Sequence, residues 1–113
     1  MRSYLIEDLT GENLKRIEAR LTELGLRGPL DGIYFLPLPE DLLSPEQAEH
    51  TQECGPHILA LEVLPDFGAL KLELLVRGRG RLRCSCVTYA DEAQRAWAMD
   101  HLDTFIRELD IAV

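Results

Sequence analysis

Apolar and polar residues alternate on both sides of Pro65-Asp66-Phe67-Gly68, and this constrains the fold more than any other feature of the sequence. His57 to Leu64 and Ala69 to Val76 each repeat with period two, the mark of half-buried strands. A four-residue loop of type I character joins them. It sets Val63 opposite Leu70, Leu61 opposite Leu72 and Leu59 opposite Leu74, so apolar residues meet on one face. On the other face Glu62 falls opposite Lys71, a favourable cross-strand pair. The same count carries His57 to a place opposite Val76.

A further strand is expected over Arg81 to Tyr89, closed by Gly78-Arg79-Gly80 as a three-residue hairpin loop with Gly80 left-handed. That closure puts Leu82 opposite Val76, Cys84 opposite Leu74 and Cys86 opposite Leu72. Upstream, Tyr4 to Asp8 reads as a short strand. A helix follows, capped by Thr10 and stopped at Gly25, with Leu14, Ile17, Leu21 and Leu24 on one stripe. Leu30 to Leu38 reads as a second strand. Ser44-Pro45-Glu46-Gln47 announces a short helix by a capping box with proline in the first turn, and Gly55-Pro56 ends it. The last helix starts at Asp91, with Gln94 three residues on, and turns Ala98, Leu102, Phe105, Ile106 and Leu109 inward. The order is β-α-β-α-β-β-β-α. The expected fold class is α+β, with a mixed, mainly antiparallel sheet and helices packed on one face. A chain of 113 residues has the length of one domain, so residues 1–113 are read as a single globular unit.

Composition narrows the function classes. The net charge of −8 argues against general binding of nucleic acid, which needs cations facing phosphates. No apolar run approaches the ~20 residues of a membrane span. Glu7 and Asp8 interrupt the first apolar stretch before it reaches the length of a signal-peptide core. An odd count of three cysteines fits a reducing compartment, and the expected location is cytoplasmic.

Cys54-Gly55-Pro56-His57 and Cys84-Ser85-Cys86 together have the ligand types of a zinc site. The expected register separates them. His57 pairs with one side of the strand that Cys84 would flank on the other, about 9–10 Å away across two ladder spacings. Cys84 and Cys86 are therefore read as core thiols, in keeping with the burial preference of free cysteine. The local set is His50, Cys54 and His57. His50 and Cys54 stand four apart near a helix end, and His57 follows the turn. These three offer donors to zinc or another transition metal, with a nearby glutamate or water as the fourth. The bland alternative is a solvated acidic helix whose His50 sits favourably near the helix C-terminus.

Arg77, Arg79, Arg81 and Arg83 form the second candidate, a site for an anion or a partner. In the expected hairpin Arg77 opposes Arg81, and like charges so opposed call for a counter-ion. Carboxylates of the chain's own acidic half, or of a second copy, fit this need better than RNA or phosphate. The strand face carrying Ile58, Ala60, Leu64, Leu75, Val87 and Tyr89 with Glu62, Lys71, Glu73 and Arg83 is too apolar for solvent and too charged for a core. A mixed face of that kind suits a protein interface, and a homodimer is its simplest form. His101, beside Trp97 and Phe105, is the one isolated base candidate. No Gly-x-Ser-x-Gly, His-Glu-x-x-His or phosphate-cradling glycine loop is present. The sequence thus reads as a non-catalytic interaction module acting as a homodimer, with metal binding and anion binding as the alternatives.

Overall fold

In the computed structural model, which describes residues 2–81 and 83–113, the central strand is β3, His57–Leu64. It pairs on one side with β2, Ile33–Pro37, and on the other with a long run made of β4, Ala69–Glu73, and β5, Leu75–Gly78. The outer edge of that run is shared end to end by β1, Ser3–Ile6, and β6, Thr88–Tyr89. The guanidinium of Arg2 covers the Tyr89 ring where the two edge strands meet. Every strand pair is antiparallel, so the α+β class holds. The N-terminal strand–helix–strand unit is not a parallel crossover, because β1 and β2 lie at opposite edges of the sheet.

The expected register of β3 on β4 is present: Leu61 faces Leu72, Val63 faces Leu70 and Glu62 faces Lys71. It then shifts by two residues. Ile58 faces Arg77 and His57 faces Gly78, not Val76. Leu74 lies within this shift. Its N–H donates to Arg2 O at 3.0 Å and its carbonyl accepts from Ala90 N at 2.9 Å, so both groups face the outer edge. A shift of two keeps each side chain on its own face, so Leu74 and Val76 still point into the core.

Helix α1, Gly11–Glu23, is capped by Thr10 as expected, and α4, Glu92–Glu108, by a capping box of Asp91 and Gln94. Both lie against one face of the sheet. Leu14, Ile17 and Leu21 of α1 and Ala98, Leu102 and Ile106 of α4 share one buried cluster with Tyr34, Leu36, Leu59, Leu61, Leu70 and Leu72. Each fully buried leucine or isoleucine contributes about 1.5–3 kcal/mol of transfer free energy. Two tyrosine hydroxyls fix the layers laterally, Tyr4 to Asp103 at 2.8 Å and Tyr34 to Glu18 at 2.9 Å. The other face of the sheet carries no part of that cluster. Ala60, Glu62, Lys71, Glu73 and Leu75 are half-buried there.

Two expected strands are shorter than the sequence suggests. Leu30 lies at the tip of a turn closed by Gly28 N to Ile33 O at 2.8 Å, so β2 begins at Ile33. Among the described residues of the segment from Arg81 to Tyr89, only Thr88–Tyr89 is a strand, pairing with Val76 and Leu75. The expected pairings of Cys84 with Leu74 and Cys86 with Leu72 are absent, and that of Leu82 with Val76 lies outside the described residues. Residues 79–81 and 83–87 form no strand, and their destination defines the candidate site.

Candidate metal centre

The site begins with α2, Pro45–Glu49, whose first turn is fixed by Ser44, Pro45 and Gln47 in a complete capping box. The helix breaks at His50, and α3, Thr51–Cys54, adds one further turn. Cys54 N donates to His50 O at 2.8 Å, so the i, i+4 relation between these two residues survives the break. Both side chains therefore leave the same side of the helix end.

The stretch that begins at Arg79 and carries Cys84 and Cys86 is brought to this surface by two glycines. Arg79 N donates to Pro56 O at 3.0 Å, and Gly80 N donates to Cys54 O at 2.8 Å. A Cβ on Gly78 would collide with the Cys54 carbonyl oxygen, and one on Gly80 would stand 2.6 Å from Glu53 O. Gly78-Arg79-Gly80 is thus not a hairpin tip. It is a close backbone approach to the end of α3 that only glycine permits. Arg81 then pairs with Glu53 at 3.5 Å, and Ser85 Oγ donates to Glu46 at 3.1 Å. A turn closed by Val87 N to Cys84 O folds Cys84 and Cys86 toward α2 and α3.

Four donors converge there. One imidazole nitrogen of His50 and the sulfurs of Cys54, Cys84 and Cys86 all lie within 4.8 Å of one another. Cys54 and Cys86 are buried, while His50 and Cys84 are partly open. His50 Nδ1 is 2.9 Å from Cys84 Sγ, and the Cys86 N–H reaches the same sulfur at 3.5 Å. These contacts set the charges. The hydrogen bond from the Cys86 backbone, then bonds from the Cys86 thiol, His50 and Cys54, pull the Cys84 thiol down to about 6. The bond to Cys84 holds His50 above its usual value. Burial pushes Cys86 up to about 12, and the bond to Cys84 followed by burial raises Cys54. Cys84 is therefore the most acidic of the three thiols, with Cys54 and Cys86 held toward their neutral forms.

The donor set fits zinc. Three thiolates and an imidazole are a known structural combination, and such ligands stand roughly 3.5–3.8 Å apart around a tetrahedral ion. Donors already gathered within 4.8 Å need little movement to close on it.

The predicted set of His50, Cys54 and His57 is corrected in one member. His57 stands outside the cluster, with its side chain on the inner face of β3. It is 3 % exposed, and neither ring nitrogen has a partner among the described residues. Burial, with the His50 charge, holds its pKa below the usual value. Cys84 and Cys86 take its place. Their exclusion followed from extending the hairpin through Arg81 to Tyr89, which does not form. The expected opposition of arginines across a hairpin is also absent. Arg77 pairs with Glu73 at 2.6 Å, Arg81 with Glu53, and Arg79 covers the Phe35 ring at 5.0 Å. Arg77 and Arg81 do not oppose one another, because Arg77 sits opposite Ile58. Arg83 is exposed in the loop.

Comparison with models of known families, with curated proteins and with solved structures finds no match. Among the described residues no helix is long and apolar enough to cross a membrane.

Proposed function

We propose that this chain is a zinc-binding domain in which His50, Cys54, Cys84 and Cys86 hold one structural ion. The observation that carries the reading is the convergence of one imidazole and three thiol donors within 4.8 Å, from segments 30 residues apart. Four protein ligands complete a tetrahedron and leave no open position for a substrate, so the ion's role is to fix structure. It would pin Cys84 and Cys86 onto α2 and α3, adding to the hydrogen bonds and the exposed ion pair that already hold this stretch there. Three unpaired thiols at one site suit a reducing compartment such as the cytoplasm. The test is elemental analysis of untagged protein purified without chelator. About one zinc per chain is expected, falling to background in Cys84→Ser. Protein that carries no zinc and takes up none when it is added overturns the reading.

A second reading concerns partners. The sheet face opposite the helices carries a hollow of about 260 Å³ lined by Ile33, Ala60, Glu62, Lys71 and Glu73. Its mixture of apolar and alternating charged groups resembles the rim and core of a non-obligate interface. We propose this face as the contact surface of a homodimer. Sedimentation at micromolar concentration tests it: a dimer dissociated by Ala60→Arg is expected, and a monomer rejects it.

A further inference from the structure

Three arginines from two segments of the chain line one hollow on the sheet face away from the helices. Arg27 comes from the turn before β2, Arg77 from β5 and Arg79 from the residue after it. The hollow has a volume of about 310 Å³, and Phe35, Ile58 and Pro29 supply its apolar lining. Phe35 and Ile58 lie on the strands themselves, so this lining is rigid. Ile58 is buried and faces Pro37 on one side and Arg77 on the other. The Arg79 guanidinium lies over the Phe35 ring.

The charges around the hollow do not balance. Arg77 is held firmly, with Nε and Nη2 on the two oxygens of Glu73 at 2.6 and 3.3 Å. Arg27 reaches Asp31 at 3.2 Å, but both side chains are largely exposed. Such a pair contributes little and gives way readily. Arg79 makes no ion pair among the described residues. On a chain of net charge −8, a rigid apolar floor is thus bordered by one satisfied arginine and two available ones. Guanidinium groups recognise carboxylate and phosphate by paired hydrogen bonds, and Arg79 already shows that this floor accepts a flat cation-like plane. The volume lies at the lower end of the roughly 300–1,000 Å³ typical of small-molecule sites.

We propose that this hollow binds a small organic anion. Its carboxylate or phosphate head meets Arg27 and Arg79, and its flat apolar body lies over Phe35 and Ile58 where the Arg79 plane now rests. Arg77, locked by Glu73, sets the wall and the local potential. None of these residues is a donor of the metal centre, so the site stands or falls independently of zinc.

The experiment is calorimetry on the protein as purified, with phenyl phosphate, benzoate and inorganic phosphate as probes. Saturable binding of phenyl phosphate or benzoate is expected, tighter than that of inorganic phosphate, and the stronger of the two identifies the head group. Arg79→Gln and Arg27→Gln each weaken it by about tenfold or more, since a hydrogen bond to a charged group is lost. Both side chains are exposed, so these variants keep the fold, and their zinc content stays that of the parent. Absence of saturable binding at millimolar probe overturns the proposal, and so does equal binding by both variants and the parent. Inorganic phosphate binding as tightly as phenyl phosphate shows that the apolar floor is unused and overturns it too. An acidic peptide that displaces the probes with higher affinity transfers the hollow to a protein partner and overturns the small-molecule assignment.

Discussion

The side-chain amide of Gln94 donates to Oε1 of Gln47 at 2.9 Å, joining the first turns of two helices that are 47 residues apart. Both glutamines are capping-box residues, and both are buried. Gln47 Oε1 also accepts from Ser44 N at 2.9 Å, and its Nε2 lies 3.3 Å from Cys86 O and 3.4 Å from Thr88 Oγ1. Gln94 Nε2 spends its second proton on Leu42 O at 2.8 Å. Every polar atom of the Gln47 amide is thus satisfied, and the network reaches the backbone of a proposed zinc ligand.

Gln47→Leu should therefore act twice. It leaves a Gln94 proton and the Ser44 N–H without their acceptor in a buried place, which costs about 1–3 kcal/mol per group left unpaired. It also frees the Cys86 carbonyl, and loss of such outer support lowers metal affinity by about 10–100-fold. Chemical denaturation of the metal-free form and competition for zinc with a chromophoric chelator measure the two effects separately. Unchanged zinc affinity would separate the network from the metal centre.

Cys84 should be the reactive thiol of metal-free protein. It is partly open and depressed to about 6, whereas Cys86 is buried and pushed up to about 12 and Cys54 is buried and raised. The thiolate is the nucleophile. Alkylation followed by peptide mapping should therefore label Cys84 first, with a rate that rises through a midpoint near pH 6, and bound zinc should protect it. The linkage follows the same sign. A thiol lowered from 9.0 stabilises the metal-free fold fully above pH 9, and this contribution fades as the pH falls through about 6. His50, raised above 6.5, contributes fully below 6.5 and loses its contribution as the pH rises through its folded value. Preferential labelling of Cys54 or Cys86 would contradict this arrangement.

Gly78→Ala tests the close approach of the loop to α3. The added Cβ meets the backbone oxygen of Cys54, which cannot rotate away as a flexible side chain would. Overpacking of this kind costs about 1–3 kcal/mol. Thermal denaturation should show the loss, and zinc binding should weaken with it, because the same contact delivers Cys84 and Cys86. Gly11→Ala is the control, since a Cβ there meets nothing within 4 Å. Equal stability of the two variants would remove the glycines from the account.

The sequence carried the half of the fold that depends on period and caps. Alternation from His57 to Leu72 and a single loop length were enough to pair Leu61 with Leu72 and Val63 with Leu70. Thr10, Ser44 and Asp91 marked the helix starts through short-range hydrogen bonds. The register shift at Leu74 was hidden, because it arises from bonds to Arg2 and Ala90, which are remote in sequence. Gly78 and Gly80 were legible as special positions but ambiguous in purpose. A glycine needed for a turn and one needed for a close backbone approach leave the same trace in the sequence. Reading a turn there continued the strand through Cys84 and Cys86, and so removed two of the four donors that now converge. The ligand types were visible; the path of nine residues decided whether they met.

His57→Leu separates the two histidines. Both nitrogens of His57 are buried without a partner among the described residues, and its pKa is held low by burial and by the His50 charge. A histidine with a lowered folded value binds fewer protons when folded, so it costs stability as the pH falls below 6.5. Replacing a buried, unpaired polar group by an apolar one of similar size is neutral or stabilising. His57→Leu should therefore unfold at equal or higher denaturant than the parent at pH 7 and gain more at pH 5.5, with zinc content unchanged. His50→Ala should instead lose zinc. A His57→Leu protein that loses its zinc would return His57 to the ligand set, in place of one of the two loop cysteines.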